Sequence, residues 1–307
     1  MTERIIESDA ADKTPVAPAQ QLRPRIALAH DWICGYRGGE SVLEAIAAIV
    51  VQHFEPARLY LMFDDGRPIS PAVDRLRARG LIRCWKPGAS PRGLRMRRWM
   101  LPQYPAAVAS LSLALAEDHA AQPIDLLISS SSAAIKGLRA PPGVPHLSYC
   151  HSPARYIWSQ SAEYAGASAK SLLRGLALRL YSPRFKQWDR KTAANVTHFL
   201  ANSRHTAGEI ARCYRRESTV IHPPVRTGFF TPDPAALREP FWLIAGAIEP
   251  YKRTDLAIAA AQLAGVDLVI AGDGFQRREL ERTAPKHARF LGRVSDEELR
   301  RLYRTAS

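Results

Sequence analysis

Residues 241–256 read F-W-L-I-A-G-A-I-E-P-Y-K-R-T-D-L. An apolar run ends at Gly246, a short polar turn carries Lys252 and Arg253, and Thr254-Asp255 opens a segment with apolar residues at helical spacing. The order is strand, turn, helix. Such a turn brings two cations and the free N–H groups of a helix N-terminus to one place, which suits a phosphate. The same spacing fits an ordinary α/β turn with a surface lysine. A second apolar strand follows at 266–271, V-D-L-V-I-A, and ends in Gly272-Asp273-Gly274, where Asp273 reads as a turn residue.

Downstream the pattern continues with a helix at 276–283, a strand at 288–291 and a helix at 296–304. Upstream, five prolines between Pro223 and Pro240 mark a linker. Before them strands and helices alternate again. Arg25–Ala29 is a short apolar strand followed by His30-Asp31-Trp32. A turn with Gly38-Gly39 precedes helical periodicity over 40–51. Further strands are expected at 59–63, 124–129, 146–150, where His151-Ser152-Pro153 follows, and 197–201, with helices near 167–194 and 205–214.

The expected architecture is α/β, two Rossmann-like halves with parallel sheets facing a cleft. Residues 1–22, rich in Ala, Pro, Gln and acidic residues, read as a disordered leader. Residues 23–222 form the first domain, 223–240 the linker and 241–307 the second domain. The second half shows about three strands before Ser307, with 219–221 as a candidate fourth. A full doubly wound half has about five or six, so this domain is expected to be incomplete.

Composition narrows the function. No apolar run approaches the ~18–20 residues of a membrane span, and the N-terminus lacks a signal-peptide pattern. Cys34, Cys84, Cys150 and Cys213 form no C-x-x-C, which argues against a disulfide framework or zinc site and for a reducing cytoplasm. Net charge is +14. Arg75, Arg77, Arg79, Arg83, Lys86, Arg92, Arg95, Arg97 and Arg98 fall in a stretch without an acidic residue. Nucleic acid, an anionic membrane surface and a phosphorylated acceptor all fit such a run. Trp85, Met96, Trp99, Met100 and Leu101 beside it favour the membrane interface; a solvated basic face is the plainer alternative.

His151 sits where a strand ends, the position that faces the ligand crevice in open α/β sheets. There it can hydrogen-bond a sugar hydroxyl or simply pack in a loop. Arg155, four residues on, can meet an anion or an acceptor. Gly38-Gly39 lets a backbone approach a diphosphate or sugar closely, or makes a plain turn. His30-Asp31 invites a metal-phosphohydrolase, but no further ligands assemble around it. Ser129–Ser132 lacks the G-x-S-x-G turn of a serine nucleophile.

Taken in order, R-G-G-E-S-V-L-E-A-I, Y-C-H-S-P-A-R-Y-I-W, A-N-S-R-H-T-A-G-E-I, V-I-H-P-P-V, E-P-Y-K-R-T-D-L-A-I-A-A-A, L-V-I-A-G-D-G and R-F-L-G-R-V-S-D-E-E-L-R-R-L-Y resemble glycosyltransferase family 4, of the two-domain GT-B fold. The resemblance runs from about Arg25 to the end, and C-H-S-P-x-R-Y-x-W with P-Y-K-R is most similar to a bacterial branch of mannosyltransferases. It implies a retaining, metal-independent transfer of a hexose, mannose from GDP-mannose, to a polyprenyl-diphosphate-linked saccharide at the inner face of the plasma membrane. No cofactor and no nucleic-acid partner are implied. By the resemblance, Lys252 neutralises the departing diphosphate, Gly38 and Gly39 approach the donor, and His151 holds its sugar. Family members often carry Arg directly after the glycine of the 246 turn; here it is Ala247, which leaves Arg253 as the compensating candidate. The family's two-glutamate motif is not reached before Ser307. A truncated, impaired enzyme is therefore expected. The other readings are a non-catalytic binding protein and another GT-B sugar-nucleotide enzyme such as an epimerase.

Overall fold

A computed structural model describes residues 23–158 and 169–307 of the protein; the leader expected at 1–22 lies outside them. The elements run β1 (Arg25–Ile33), α1 (Gly38–His53), β2 (Glu55–Asp64), α2 (Pro71–Ala78), β3 (Ile82–Cys84), α3 (Pro91–Met96), α4 (Tyr104–Ala121), β4 (Leu126–Ser131), β5 (His146–Cys150), α5 (Arg155–Trp158), α6 (Ala169–Thr192), β6 (His198–Ala201), α7 (Arg204–Tyr214) and β7 (Ser218–Val220). After a segment without strands come β8 (Phe241–Ala245), α8 (Thr254–Ala264), β9 (Asp267–Ala271), α9 (Arg277–Thr283), β10 (Ala288–Gly292) and α10 (Asp296–Thr305).

All strand pairs are parallel and fall into two sheets, β3-β2-β1-β4-β5-β6-β7 and β10-β9-β8. The strand weighed at 219–221 as a fourth of the second half is instead β7, Ser218–Val220, at the edge of the first sheet, where Leu200 pairs with Thr219. β1 is buried on both faces, as parallel sheets require. Ala27 and Ala29 face a core built with α4, while Ile26 and Leu28 face a second core with α1 and α2. The smaller sheet likewise carries apolar clusters around Phe241, Val269 and Leu302 and around Ile248, Ile258 and Ile270.

Between residues 64 and 123 the chain forms α2, β3, α3 and α4, the first three carrying arginines of the basic run. In α4 the buried residues Tyr104, Ala107, Val108, Leu111 and Leu115 make one helical stripe. The basic run does not form one face. Arg77 donates twice to Asp64, at 2.7 and 3.0 Å, and Arg83 reaches Asp118 at 2.9 Å and Glu117 at 3.2 Å. Arg92 and Arg95 of α3 stay exposed, next to Met96 and Trp99, the latter 55% exposed. Among the described residues no helix is long and apolar enough to cross a membrane.

One buried ion pair ties the first unit together. Lys136 Nζ lies 2.8 Å from Asp189 Oδ1 and 4.5 Å from the centre of the Tyr214 ring. Asp189 Oδ2 accepts from Trp158 Nε1 at 2.8 Å and from the Tyr214 hydroxyl at 3.0 Å. Oδ1 has no hydrogen-bond donor and is met by the Lys136 charge alone, since Nζ donates to the Asp189 backbone carbonyl at 2.9 Å; the opposite charge is what lets the carboxylate sit in a core.

Candidate active site

Strand order reverses at β1, with β2 on one side and β4 on the other, and open α/β sheets bind ligands at such a switch point. The register shows how the crevice opens. β4 follows β1 only as far as His30 opposite Ser130, whereas β1 stays paired with β2 through Ile33. Past the fork the chain after β4 turns away, and its N–H groups have no strand to pair with. Asp31 takes them. Its Oδ2 accepts from Ser132 N at 2.6 Å, Ala133 N at 2.9 Å and Ser131 Oγ at 3.2 Å, and its Oδ1 from Ala134 N at 2.9 Å and Ile135 N at 2.8 Å. The carboxylate is fully buried, and its acceptor positions are filled by the fold, so Asp31 is a structural anchor and not a metal ligand. Among the described residues no His, Cys, Asp and Glu side chains gather as a metal set.

His151 follows β5 and is held on several sides. Its N–H donates to Ser131 O at 2.8 Å, and its carbonyl accepts from Asn202 Nδ2 at 2.9 Å and Thr206 Oγ1 at 3.3 Å. Its Nε2 lies 2.8 Å from Ser130 Oγ. The Tyr149 ring stands edge-on at 5.3 Å and the His30 ring at 6.5 Å. Burial, reinforced by neighbouring His30, drops the His151 pKa to about 4. At neutral pH the imidazole is uncharged, suited to hydrogen-bonding a hydroxyl.

Gly38 and Gly39 open α1 over these rings. A methyl group at Gly39 would stand 3.7 Å from His30 Cε1 and 3.9 Å from His151 Nε2, ordinary contact distances, and one at Gly38 would meet nothing. Neither glycine has a positive φ. The backbone therefore does not demand glycine here, although glycine in a helix costs about 0.5–1 kcal/mol relative to alanine. What the pair provides is bare backbone facing the crevice, at a helix N-terminus whose first N–H groups have no intrahelical partner.

In the second unit the 246–254 turn is fixed by the neighbouring turn after β9. Gly246 N donates to Ala271 O at 2.9 Å and Ile248 N to Asp273 O at 3.1 Å. Gly272, at φ 153°, lies so close that a Cβ would fall 1.8 Å from Gly246 O, which excludes any other residue. Lys252 ends this turn with its side chain exposed. Arg253, in the left-handed region at φ 51°, starts α8 without a side-chain cap. The two cations do not act at one point: Arg253 turns back onto Asp255, with Nε 3.0 Å from Oδ1 and Nη2 3.0 Å from Oδ2. This ion pair raises the guanidinium pKa and lowers that of the carboxyl.

The two units meet at Tyr251. Arg155, at the start of α5, places Cζ 5.2 Å from the centre of that ring, and Lys252 Nζ lies 5.8 Å from it. Of the residues expected from sequence, Gly39 lies beside His151, and Tyr251 links Arg155 to Lys252. Sequence reasoning missed Tyr251 and Ser130 and set His30 aside with the metal idea. The strand-end rule that selected His151 applies equally to His30.

The model of Glycosyltransferase Family 4 matches residues 68–229, more than half of the chain. The chain belongs to glycosyltransferase family 4. This glycosyltransferase shares its fold with solved GT-B enzymes. The lipopolysaccharide outer core galactosyltransferase WaaB in its apo form superposes with a TM-score of 0.51 at 13% identity, over 90% of this chain and 70% of that one. WaaG, a glycosyltransferase involved in lipopolysaccharide biosynthesis, gives 0.54 at 12%, over 92% and 73%. A glycosyltransferase from Rickettsia africae ESF-5 gives 0.52 at 13%, over 92% and 72%. No curated protein matches the sequence.

Proposed function

We propose that this glycosyltransferase moves a hexose, mannose from GDP-mannose, to a lipid-linked saccharide at the inner membrane face, with retention and without a metal ion. The supporting observation is the convergence at the cleft: bare backbone at Gly38-Gly39, neutral His151, and Lys252 joined to the first unit through Tyr251 and Arg155. In this scheme the sugar lies by His151 and the diphosphate between the N-termini of α1 and α8. The bond from the anomeric carbon to the diphosphate breaks. A bond to an acceptor hydroxyl forms on the same face, and the hydroxyl proton leaves with the diphosphate. Lys252 and the helix N–H groups stabilise the charge that builds on the leaving group, the interactions expected to dominate such catalysis. Exposed Arg92, Arg95, Met96 and Trp99 give α3 and the residues after it a surface that can rest on anionic lipid.

The test is transfer of radiolabel from GDP-mannose to membrane lipid extract, run beside UDP-glucose and UDP-galactose. Label in lipid from GDP-mannose alone supports the full proposal. Label from a UDP-sugar replaces the donor, and free sugar or an epimer without lipid product overturns the transfer.

A further inference from the structure

His30 and His151 share one serine. His30 Nδ1 lies 2.9 Å from the carbonyl oxygen of Ser130, and His151 Nε2 lies 2.8 Å from the Ser130 hydroxyl. A carbonyl only accepts, so Nδ1 of His30 carries the proton and Nε2 is left with its lone pair. Among the described residues neither His30 Nε2 nor His151 Nδ1 has a hydrogen-bond partner, and neither is among the polar atoms sealed from solvent. His30 is only 4% exposed. A nearly buried ring whose acceptor atom still reaches the crevice can give that atom to a water or to a ligand hydroxyl that displaces it. Both rings sit beneath Gly39, at the mouth of the crevice.

We infer that His30 is a second sugar-binding residue of the donor site, its Nε2 accepting a hydrogen bond from a hydroxyl of the same sugar ring that His151 Nδ1 contacts. The inference rests on the glycosyltransferase donor site proposed above. The chemistry selects sugar over diphosphate at this end of the site. Desolvation holds the pKa of His30 below its ordinary value, opposed by Asp31 and the bond to Ser130. Two uncharged imidazoles offer a phosphate no countercharge but pair well with neutral hydroxyls. Ser130 gives the two rings a common support, through its carbonyl for His30 and its hydroxyl for His151.

His30→Asn separates this role from a structural one. The asparagine amide can keep the bond to Ser130 O through its Nδ2, while nothing replaces Nε2. Calorimetric titration of wild type and variant with GDP, GDP-mannose, UDP and UDP-glucose, with thermal melting of both proteins, is the experiment. The expected result is about five- to twentyfold weaker binding of whichever nucleotide sugar the wild type takes, the loss of roughly one to two hydrogen bonds. Affinity for the matching diphosphate should stay within about twofold. A measurement that needs no variant is 15N spectroscopy of the wild-type imidazoles, where the His30 Nε2 signal should shift with the nucleotide sugar and stay put with the diphosphate. Equal losses for sugar nucleotide and diphosphate, no loss for either, or an unmoved Nε2 signal overturns the His30 assignment alone. Failure of the wild type to bind any of the four compounds overturns the donor site itself and this inference with it.

Discussion

Lys252 and Arg253 are neighbours in sequence but differ in what they can give a ligand. Arg253 is committed to Asp255 through three donor–acceptor contacts, all on the surface. Lys252 has an aromatic neighbour and no carboxylate bonded to it among the described residues. A free ammonium beside an uncapped helix N-terminus is the group that can follow charge onto a leaving diphosphate. Lys252→Ala should lower kcat/KM for sugar transfer by about 10²–10³-fold, the usual cost of removing one transition-state donor. Its melting temperature should hardly move, because exposed substitutions typically change stability by less than about 0.5 kcal/mol. Arg253→Ala should cost clearly less activity. Steady-state kinetics on both variants decides it, and an equal or larger loss for Arg253→Ala would give that residue the role assigned to Lys252.

At the level of elements, the strands that build the site were legible and much of their support was not. β5, β8 and β9 are short apolar runs followed at once by His or Gly, and such endings are local signals, whereas β1 runs on past the expected Ala29 to Ile33. α2 and α3 escaped because they are short and arginine-rich, and β3 because its three residues carry Arg83; the acidic partners lie elsewhere in sequence, Asp64 for Arg77 and Asp118 for Arg83. α4 holds no arginine, and its even spread of Ala and Leu gives little contrast between its buried and exposed faces. The anchoring by Asp31 of residues 132–135 is equally non-local, since it spans about a hundred positions. The Lys136–Asp189 pair belongs to the same class. A lysine after a serine run gives no hint that it is 1% exposed and paired across 53 residues. Lys136→Met would leave Asp189 charged and only partly satisfied in the core. It should destabilise the protein by about 3–5 kcal/mol, read as an earlier midpoint in urea. It should also loosen α5 through Trp158, which donates to the same carboxylate. A change below about 1 kcal/mol would mean that the pair contributes no net stability.

For the whole molecule, the imidazoles set a lower pH limit. Burial holds His146 and His151 at about 4 and keeps His30 below its ordinary value. In the unfolded chain all three titrate near 6.5. Between those values the unfolded chain binds more protons than the native one, so stability is flat above about pH 6.5 and falls as pH drops towards 4. His146 and His151 should each cost on the order of 2 kcal/mol by pH 5. Urea midpoints at pH 7.5 and 5 test this, and His146→Gln should flatten the slope; a midpoint that does not fall would contradict the buried neutral rings.

The join between the two sheets is a separate question, because the Arg155–Tyr251 contact is exposed, with the ring 39% accessible. A cation–π pair of this kind is worth about 0.5–1 kcal/mol. That is enough to shift an open–closed balance by a factor of about two to five and too little to lock it. Such a weak clasp suits a cleft that must admit a donor and release a diphosphate. Tyr251→Leu removes the ring face while keeping an apolar side chain, and Tyr251→Phe keeps the face. In hydrogen exchange, amides of residues 152–158 and 247–253 should exchange about two- to fivefold faster in the leucine variant. They should be unchanged in the phenylalanine variant, since the attraction is to the ring and not the hydroxyl. Identical exchange in all three proteins would show that the clasp does not hold the units together.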